Sequence, residues 1–504
     1  MVSEPTKHPA KWPWLSRPHW LAAMATVLLA TPLVLFVPAG TQLSLAKPPS
    51  AAAASTGCAV STNGTTTAPT MPGAGLPSWT SFEGNAAHDL IVPASTPAGP
   101  MSTSWSFQPN GEIGTAPSVV GGVAYLTSLD QCIYALDVAT GKEIWSFHAN
   151  QMSMSEPLVT NGRVFFGTGN KVIVRTASGG ILRGTGANAI YALNAATGKE
   201  LWSFNTYGEN MPTLLYSNGT VYAATGGSMM YALNAASGKL QWSLPVHSVV
   251  SMSSPEASGH IAVFGGADPY AFYGVNLSTG KIAWTLPVQA EGGIDDNTPT
   301  IANGIAYVQV PEGIFPRATV VEFAINVATG QNLWQTVLGQ GSLPTNDKEE
   351  TGVATAYGGV LYVGSPALHS LYALNIQPGA PLWAAPPSLP AGVRPSPMVM
   401  GNHIVVADNA GGLDVIDRSS GQWLRTIQIG VRVPGTGECT TPAPELVGQT
   451  LLFATGKDAV LTAEPFTQVL AGDRPATAAR LVTPAASTAA RTLTPAPTAA
   501  SGHT

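Results

Sequence analysis

Charge is scarce in this sequence: Asp, Glu, Lys and Arg make up 10% of its 504 residues, and the formal net charge is −6. No basic stripe is present that could neutralise phosphates, which argues against a nucleic-acid partner. Cysteine is nearly absent, with only Cys58, Cys132 and Cys439. Three cysteines cannot build a disulfide framework or a Cys-rich metal scaffold, so stability has to come from packing. Several mechanistic motifs are missing too: there is no His-Glu-x-x-His, no Gly-rich phosphate loop and no Gly-x-Ser-x-Gly elbow. What the chain has in quantity is glycine (54) and proline (42). That combination suits many short strands joined by tight turns around a large apolar core.

The two ends differ from the middle. Residues 20–37 carry no charge over 18 positions, and as a helix would reach roughly 27 Å, enough to cross a hydrocarbon core. Lys7, Lys11 and Arg17 precede this stretch and Lys47 follows it. The bias keeps the N-terminus in the cytoplasm and sends the rest of the chain outside. A cleaved signal peptide is the competing reading, because Ser44-Leu45-Ala46 offers a small-x-small site. Cys58 lies too far along for a lipoprotein signal. Residues 38–76 and 468–504 are low-complexity Ala, Ser, Thr and Pro, with too little apolar content to fold alone. The expected organisation is a cytoplasmic basic segment (1–19), a transmembrane or signal helix (20–37), a linker (38–76), a globular domain (77–467) and a tail (468–504).

The globular part repeats. Tyr-Ala-Leu-Asp/Asn-x-x-Thr-Gly-Lys-x-x-Trp occupies 134–145, with close copies at 191–202 and 231–242 and looser ones at 273–284, 323–334, 372–383 and 415–425. This spacing suits four-stranded propeller blades. An independent count comes from two-residue turns between apolar runs, among them Asn161-Gly162, Asn218-Gly219 and Asn303-Gly304, of which there are eight. Trp145, Trp202, Trp242, Trp284, Trp334 and Trp383 end six blades, and Arg425 stands at the same place in a seventh. The last unit lacks its final strand, and Trp105 lies in a strand ahead of the first complete blade. The fold expected is all-β: an eight-bladed propeller of four-stranded antiparallel blades, closed by the N-terminal strand completing the last blade.

These repeats resemble the pyrroloquinoline-quinone-type (PQQ-like) propeller family, and the lead-in at 79–88 is similar to the segment that family places before its first strand. The resemblance implies that the seven tryptophans, Trp105 included, act as wedges between neighbouring blades beside a turn glycine, a structural role. It also implies two functions. Quinoprotein dehydrogenases cage their quinone with a Cys-Cys pair and Ca²⁺, but this chain has no Cys-Cys and no Cys-x-x-Cys-His. The propeller subunit of the outer-membrane barrel assembly machine shares the fold and blade number without catalysis.

Among the residues, 11 of 28 carboxylates fall in loops leading into the innermost strands. They suggest an acidic rim around the central channel, able to hold a cation or a basic segment, although loops are where soluble proteins place charge anyway. Asp295, Asp296, Asp347 and Glu350 are the metal candidates. Insertions at 170–189 and 312–318 on the same face are candidate recognition loops. Cys132 and Cys439 would lie in neighbouring blades of a closed ring and are a candidate disulfide, two buried thiols being the alternative. The function expected is a non-catalytic, monomeric, extracytoplasmic, membrane-tethered scaffold or binding module, with an envelope protein as partner and no cofactor. The alternative is a PQQ-dependent dehydrogenase with Ca²⁺ on the acidic face.

Overall fold

The computed structural model describes residue 58 and residues 81–88, 91–92, 104–170, 172–175, 181–290, 293–314, 317–342, 351–429, 442–455 and 460–466. Six blades are four-stranded antiparallel sheets. The first has strands Ser118–Val120, Val123–Thr127, Cys132–Asp137 and Glu143–His148. Its three inner strands are buried almost throughout, while the outermost is half-buried. A strand sandwiched between two blades needs apolar residues on both faces, which explains runs such as Phe165-Phe166 and Val405-Val406.

The eighth blade closes the ring. Trp105–Phe107 pairs antiparallel with Val460–Pro465, Trp105 opposite Ala463 and Phe107 opposite Leu461. A fifth, unexpected strand, Ile91–Val92, runs parallel to the innermost strand Glu445–Val447. The sixth blade departs from expectation in the other direction. Its sheet has three strands, and residues around Trp383 touch it only through bridges such as Leu374 to Pro381 and Ser370 to Ser388. Pro381, Pro386 and Pro387 have no N–H to donate, so a regular fourth strand cannot form there.

The tryptophans share one geometry. Trp145 Nε1 donates to the Ala195 carbonyl of the next blade at 2.9 Å, and Trp105, Trp202, Trp242, Trp284, Trp334 and Trp383 make the equivalent bond. Each ring covers a positive-φ glycine of that next blade. A β-carbon on Gly198 would lie 2.6 Å from Trp145 Cδ2, and Gly141, Gly238, Gly280, Gly330, Gly379 and Gly421 are as tightly covered. Glycine is therefore required twice over at these turns, for its φ and for its bare α-carbon.

The disulfide differs from the expected one. Cys132 is bonded to Cys58, with a Cα–Cα distance of 5.8 Å, so it cannot also pair with Cys439, which lies outside the described residues. Cys58 packs against the apolar cluster between blades eight and one, beside Trp105. At least one residue of the 38–76 stretch is thus fastened to the ring rather than being free linker. The N-terminal helix expected at 20–37 also lies outside the described residues. Among the described residues no helix is long and apolar enough to cross a membrane.

The insertion after the second strand of blade two forms a hairpin, Ile173–Arg175 with Ile181–Arg183. It is docked on blade three by Arg183 N donating to Gly226 O and Glu209 N donating to Arg183 O, both at 2.9 Å. The 312–318 insertion prolongs a hairpin of blade five, paired out to Ile314 and Arg317.

Candidate functional site at the propeller axis

The innermost strands and the loops leading into them arrange side chains in tiers around the axis. In each blade the position two before the end of the innermost strand lies in the strand, and those four and six before it lie in the lead-in loop. Glu256 and Glu445 belong to the tier within the strands. Glu156, Ser254 and Thr298 belong to the tier above, and Met154, Met211, Met252, Asp296 and Arg394 to the mouth.

The axis is filled by the chain itself. Within residues 81–88 three side chains are buried there, Ser81 at 3% exposed, Glu83 at 2% and His88 at 0%, while Asn85 is exposed and the others are half-buried. Backbone groups on this segment are satisfied by blades far apart in sequence. Phe82 N donates to Glu256 Oε1 at 3.1 Å and Glu83 N to Glu156 Oε1 at 2.9 Å. Ala86 O accepts from Ile301 N, and Ala87 O accepts from Ala356 N at 3.0 Å. His88 Nδ1 lies 3.1 Å from Thr300 Oγ1 and 3.3 Å from the Ala354 carbonyl, its Nε2 stands 3.9 Å from Glu256 Oε1, and its ring meets Phe82 edge-on. The carboxylates expected as an outer rim are thus partly an inner socket. Glu156, Glu209 and Glu256 are fully buried, and two of them hold the short 3₁₀ turn Phe82–Gly84 by its N–H groups.

Burial dominates the protonation of this cluster. It raises Glu83 and Glu256, against the opposing pull of His88 on both. It raises Glu445 far more, helped by the charges of Glu156 and Glu83. For His88 burial works downward, but the Glu256 carboxylate 3.9 Å from Nε2 and the nearby Glu83 charge outweigh it, and the imidazole ends up raised. The centre of the ring therefore favours bound protons.

Above Phe82 and Glu83 a small cavity remains, about 50 Å³, walled by all eight lead-in loops and including Met154, Met211, Met252, Asp296 and Arg394. This cavity is small against cofactor pockets, which run to roughly 300–1,000 Å³. Of the metal candidates, Asp295 and Asp296 diverge. The Asp295 carbonyl accepts from Met252 N and Ser253 N at 2.8 and 2.7 Å. Its carboxylate lies 3.9 Å from Arg183 Nη1, while Arg183 Nε meets Glu209 at 2.9 Å. Asp296 instead lines the cavity. Asp347 and Glu350 lie outside the described residues. Among the described residues no three His, Cys, Asp or Glu side chains are grouped to hold a metal ion.

The axial role of 81–88 is not anticipated by the sequence patterns above. The signal available was the lead-in motif itself, whose His88 and Glu83 are unusual residues to bury.

Comparison with known proteins agrees with this architecture. The model of the family described as outer membrane protein assembly factor BamB matches residues 174–310 and 316–502. The chain belongs to this PQQ-like propeller family. A second model, of the glucose/ethanol/alcohol dehydrogenase β-propeller domain, matches 95–212. Among curated relatives of this PQQ-like chain, tetrathionate hydrolase of Acidithiobacillus ferrooxidans is 28% identical over 365 residues, 68% of this chain and 71% of its own length. BamB of Salmonella typhimurium is 29% identical over 343 residues, 64% and 80% of the two chains. The fold is also that of BamB from Moraxella catarrhalis, with a TM-score of 0.52 at 19% identity over 72% of this chain and 98% of that one. Quinohemoprotein alcohol dehydrogenase from Comamonas testosteroni gives 0.51 at 13% identity, over 77% and 80%.

Proposed function

We propose that this PQQ-like propeller is an extracytoplasmic binding module, held at a membrane by its apolar N-terminal segment, that receives an envelope protein on the loop face around the axis. The observation that carries this reading is the convergence of all eight lead-in loops on one mouth above a filled axis. A ring plugged by its own chain is rigid and presents a surface rather than a pore. The Cys58–Cys132 disulfide supports an oxidising compartment, and BamB, an assembly factor by name, is a relative. A photo-crosslinking residue at Glu112 or Tyr207, on the loop face, is expected to capture one envelope protein in intact cells. The same probe at Asn161, on the opposite face, is expected to capture none. Equal capture from both faces would sink the assignment.

A hydrolytic reading is favoured by one feature. Arg394 and Asp296 share the mouth of the cavity, and tetrathionate hydrolase is a relative. If the protein acts on a sulfur oxyanion, it will consume tetrathionate and Arg394→Met will abolish that activity. Consumption unchanged by the substitution would separate any hydrolysis from this cavity. A PQQ-dependent reaction would require the axial segment to leave, and calorimetric titration with PQQ and Ca²⁺ is expected to give no heat of binding.

A further inference from the structure

Three methionines from consecutive blades line the mouth of the axial cavity. Met154, Met211 and Met252 each lie six positions before the residue that ends an innermost strand, namely Thr160, Ser217 and Ser258. They therefore occupy one structural station in three consecutive blades, and all three line the same cavity. The blades on either side place Gly114 and Asp296 at that station. Met154 packs against Gly114, where a β-carbon would make ordinary contact with its methyl at 3.5 Å.

Met211 is buried at 1% exposed, whereas Met154 and Met252 are half-buried. None of the three side chains belongs to an apolar cluster between blades, although methionine is a common gap-filler in such cores. Where the station is described in other blades it carries Gly, Asp, Thr or Arg, so the fold tolerates small and polar groups. Asp296, next to Met252 around the ring, has a buried Oδ1 without a hydrogen-bond partner.

We infer that Met154, Met211 and Met252 form a site for a soft monovalent cation of the Cu(I) class, with Asp296 supplying the compensating charge. Thioether sulfur is a soft, neutral donor that selects Cu(I) or Ag(I) over Ca²⁺, Mg²⁺ or Zn²⁺. Three such donors on flexible stems can turn toward one ion, and the Asp296 carboxylate offsets its charge against that of Arg394, which lines the same cavity. The site shares the mouth on which the proposed partner would dock, but ion binding by the purified chain needs no partner.

The test uses Ag(I), which needs no reductant and so spares the Cys58–Cys132 bond. The full-length protein, with Cys439→Ser to remove the remaining thiol, is titrated calorimetrically in chloride-free buffer. One ion is expected per chain. Changing Met154, Met211 and Met252 together to Leu, a volume-conserving swap, should weaken binding at least a hundredfold while leaving the melting temperature unchanged. Asp296→Asn should weaken it several-fold, and Met400→Leu, at the end of the innermost strand of blade seven, should not weaken it. Absence of binding would overturn the inference. So would stoichiometric binding that survives the triple change, or loss on Met400→Leu alone.

Discussion

Seven of the eight blade boundaries are built alike, and the boundary between blades seven and eight is not. At the seven, an indole bridges to the next blade's carbonyl and lies on a bare glycine. At the eighth, Arg425 holds the corresponding register position, opposite Val415. The nearby Trp423 turns outward, 41% exposed, and donates to Asp414 of its own blade. Apolar packing without an indole does the joining instead, through Val415, Ile427, Leu446 and Phe453. By contrast the neighbouring boundary between blades eight and one carries both a tryptophan, Trp105, and the Cys58–Cys132 disulfide. A closed ring does not need eight identical joints. It needs enough apolar area at each, and the weaker one can lie beside the strongest.

The comparison breaks or stands on measurable differences. The largest is expected from truncation: Trp145→Ala should cost about 3–5 kcal/mol in denaturant unfolding, and Trp423→Ala less than about 1. Equal costs would show that exposure misjudges the indoles. Next, removing the disulfide with Cys58→Ser should cost about 2–5 kcal/mol, given the 74 residues it spans. Reductant should then shift the melting temperature of the native protein but not of the variant.

The third effect is pH-dependent and local to the boundary without an indole. Burial raises Asp414 to about 6, against hydrogen bonds from Thr426 and Trp423 that pull the other way. The folded protein therefore keeps a proton that the unfolded chain releases near 3.8, and stability falls as pH rises from about 3.8 to about 6. Asp414→Asn should flatten that window by on the order of 1–3 kcal/mol. The axial glutamates act in the same direction above their ordinary 4.5. His88, raised from 6.5, contributes stability that is complete below that pH and lost as pH climbs through its folded value. A melting profile highest in acid would agree with both clusters, whereas one rising toward neutral pH would contradict them. The smallest contrast concerns two glycines of nearly equal φ. Gly198 (+66) lies under Trp145, whereas a β-carbon on Gly162 (+69) would meet nothing within 4 Å. Gly162→Ala should cost about 1–2 kcal/mol and Gly198→Ala about 1–3 more, the excess being steric alone.

Much of this was readable from local pattern. The hairpin turns, the recurring Trp and the spare strand at Trp105 are nearest-neighbour features, so blade number and ring closure follow from counting them. The candidate site was far less legible. Glu156 and Glu256 were recognisable as acids in lead-in loops, but whether they faced solvent or the axis depended on what occupied the axis. Cys132 could be seen to sit at a boundary, yet its partner came from a stretch whose composition suggests no structure.

The chain by itself determined the repeat, because each blade is specified by turns and short apolar runs within roughly 40 residues. Only the tertiary structure decided what fills the centre. The Phe82, Glu83 and His88 contacts reach Glu256, Glu156 and Thr300 across as many as 212 residues. Such pairings exist only once eight separate strands have been brought around a common axis. No local propensity encodes that proximity, and the same closure places three methionines from different blades around one cavity.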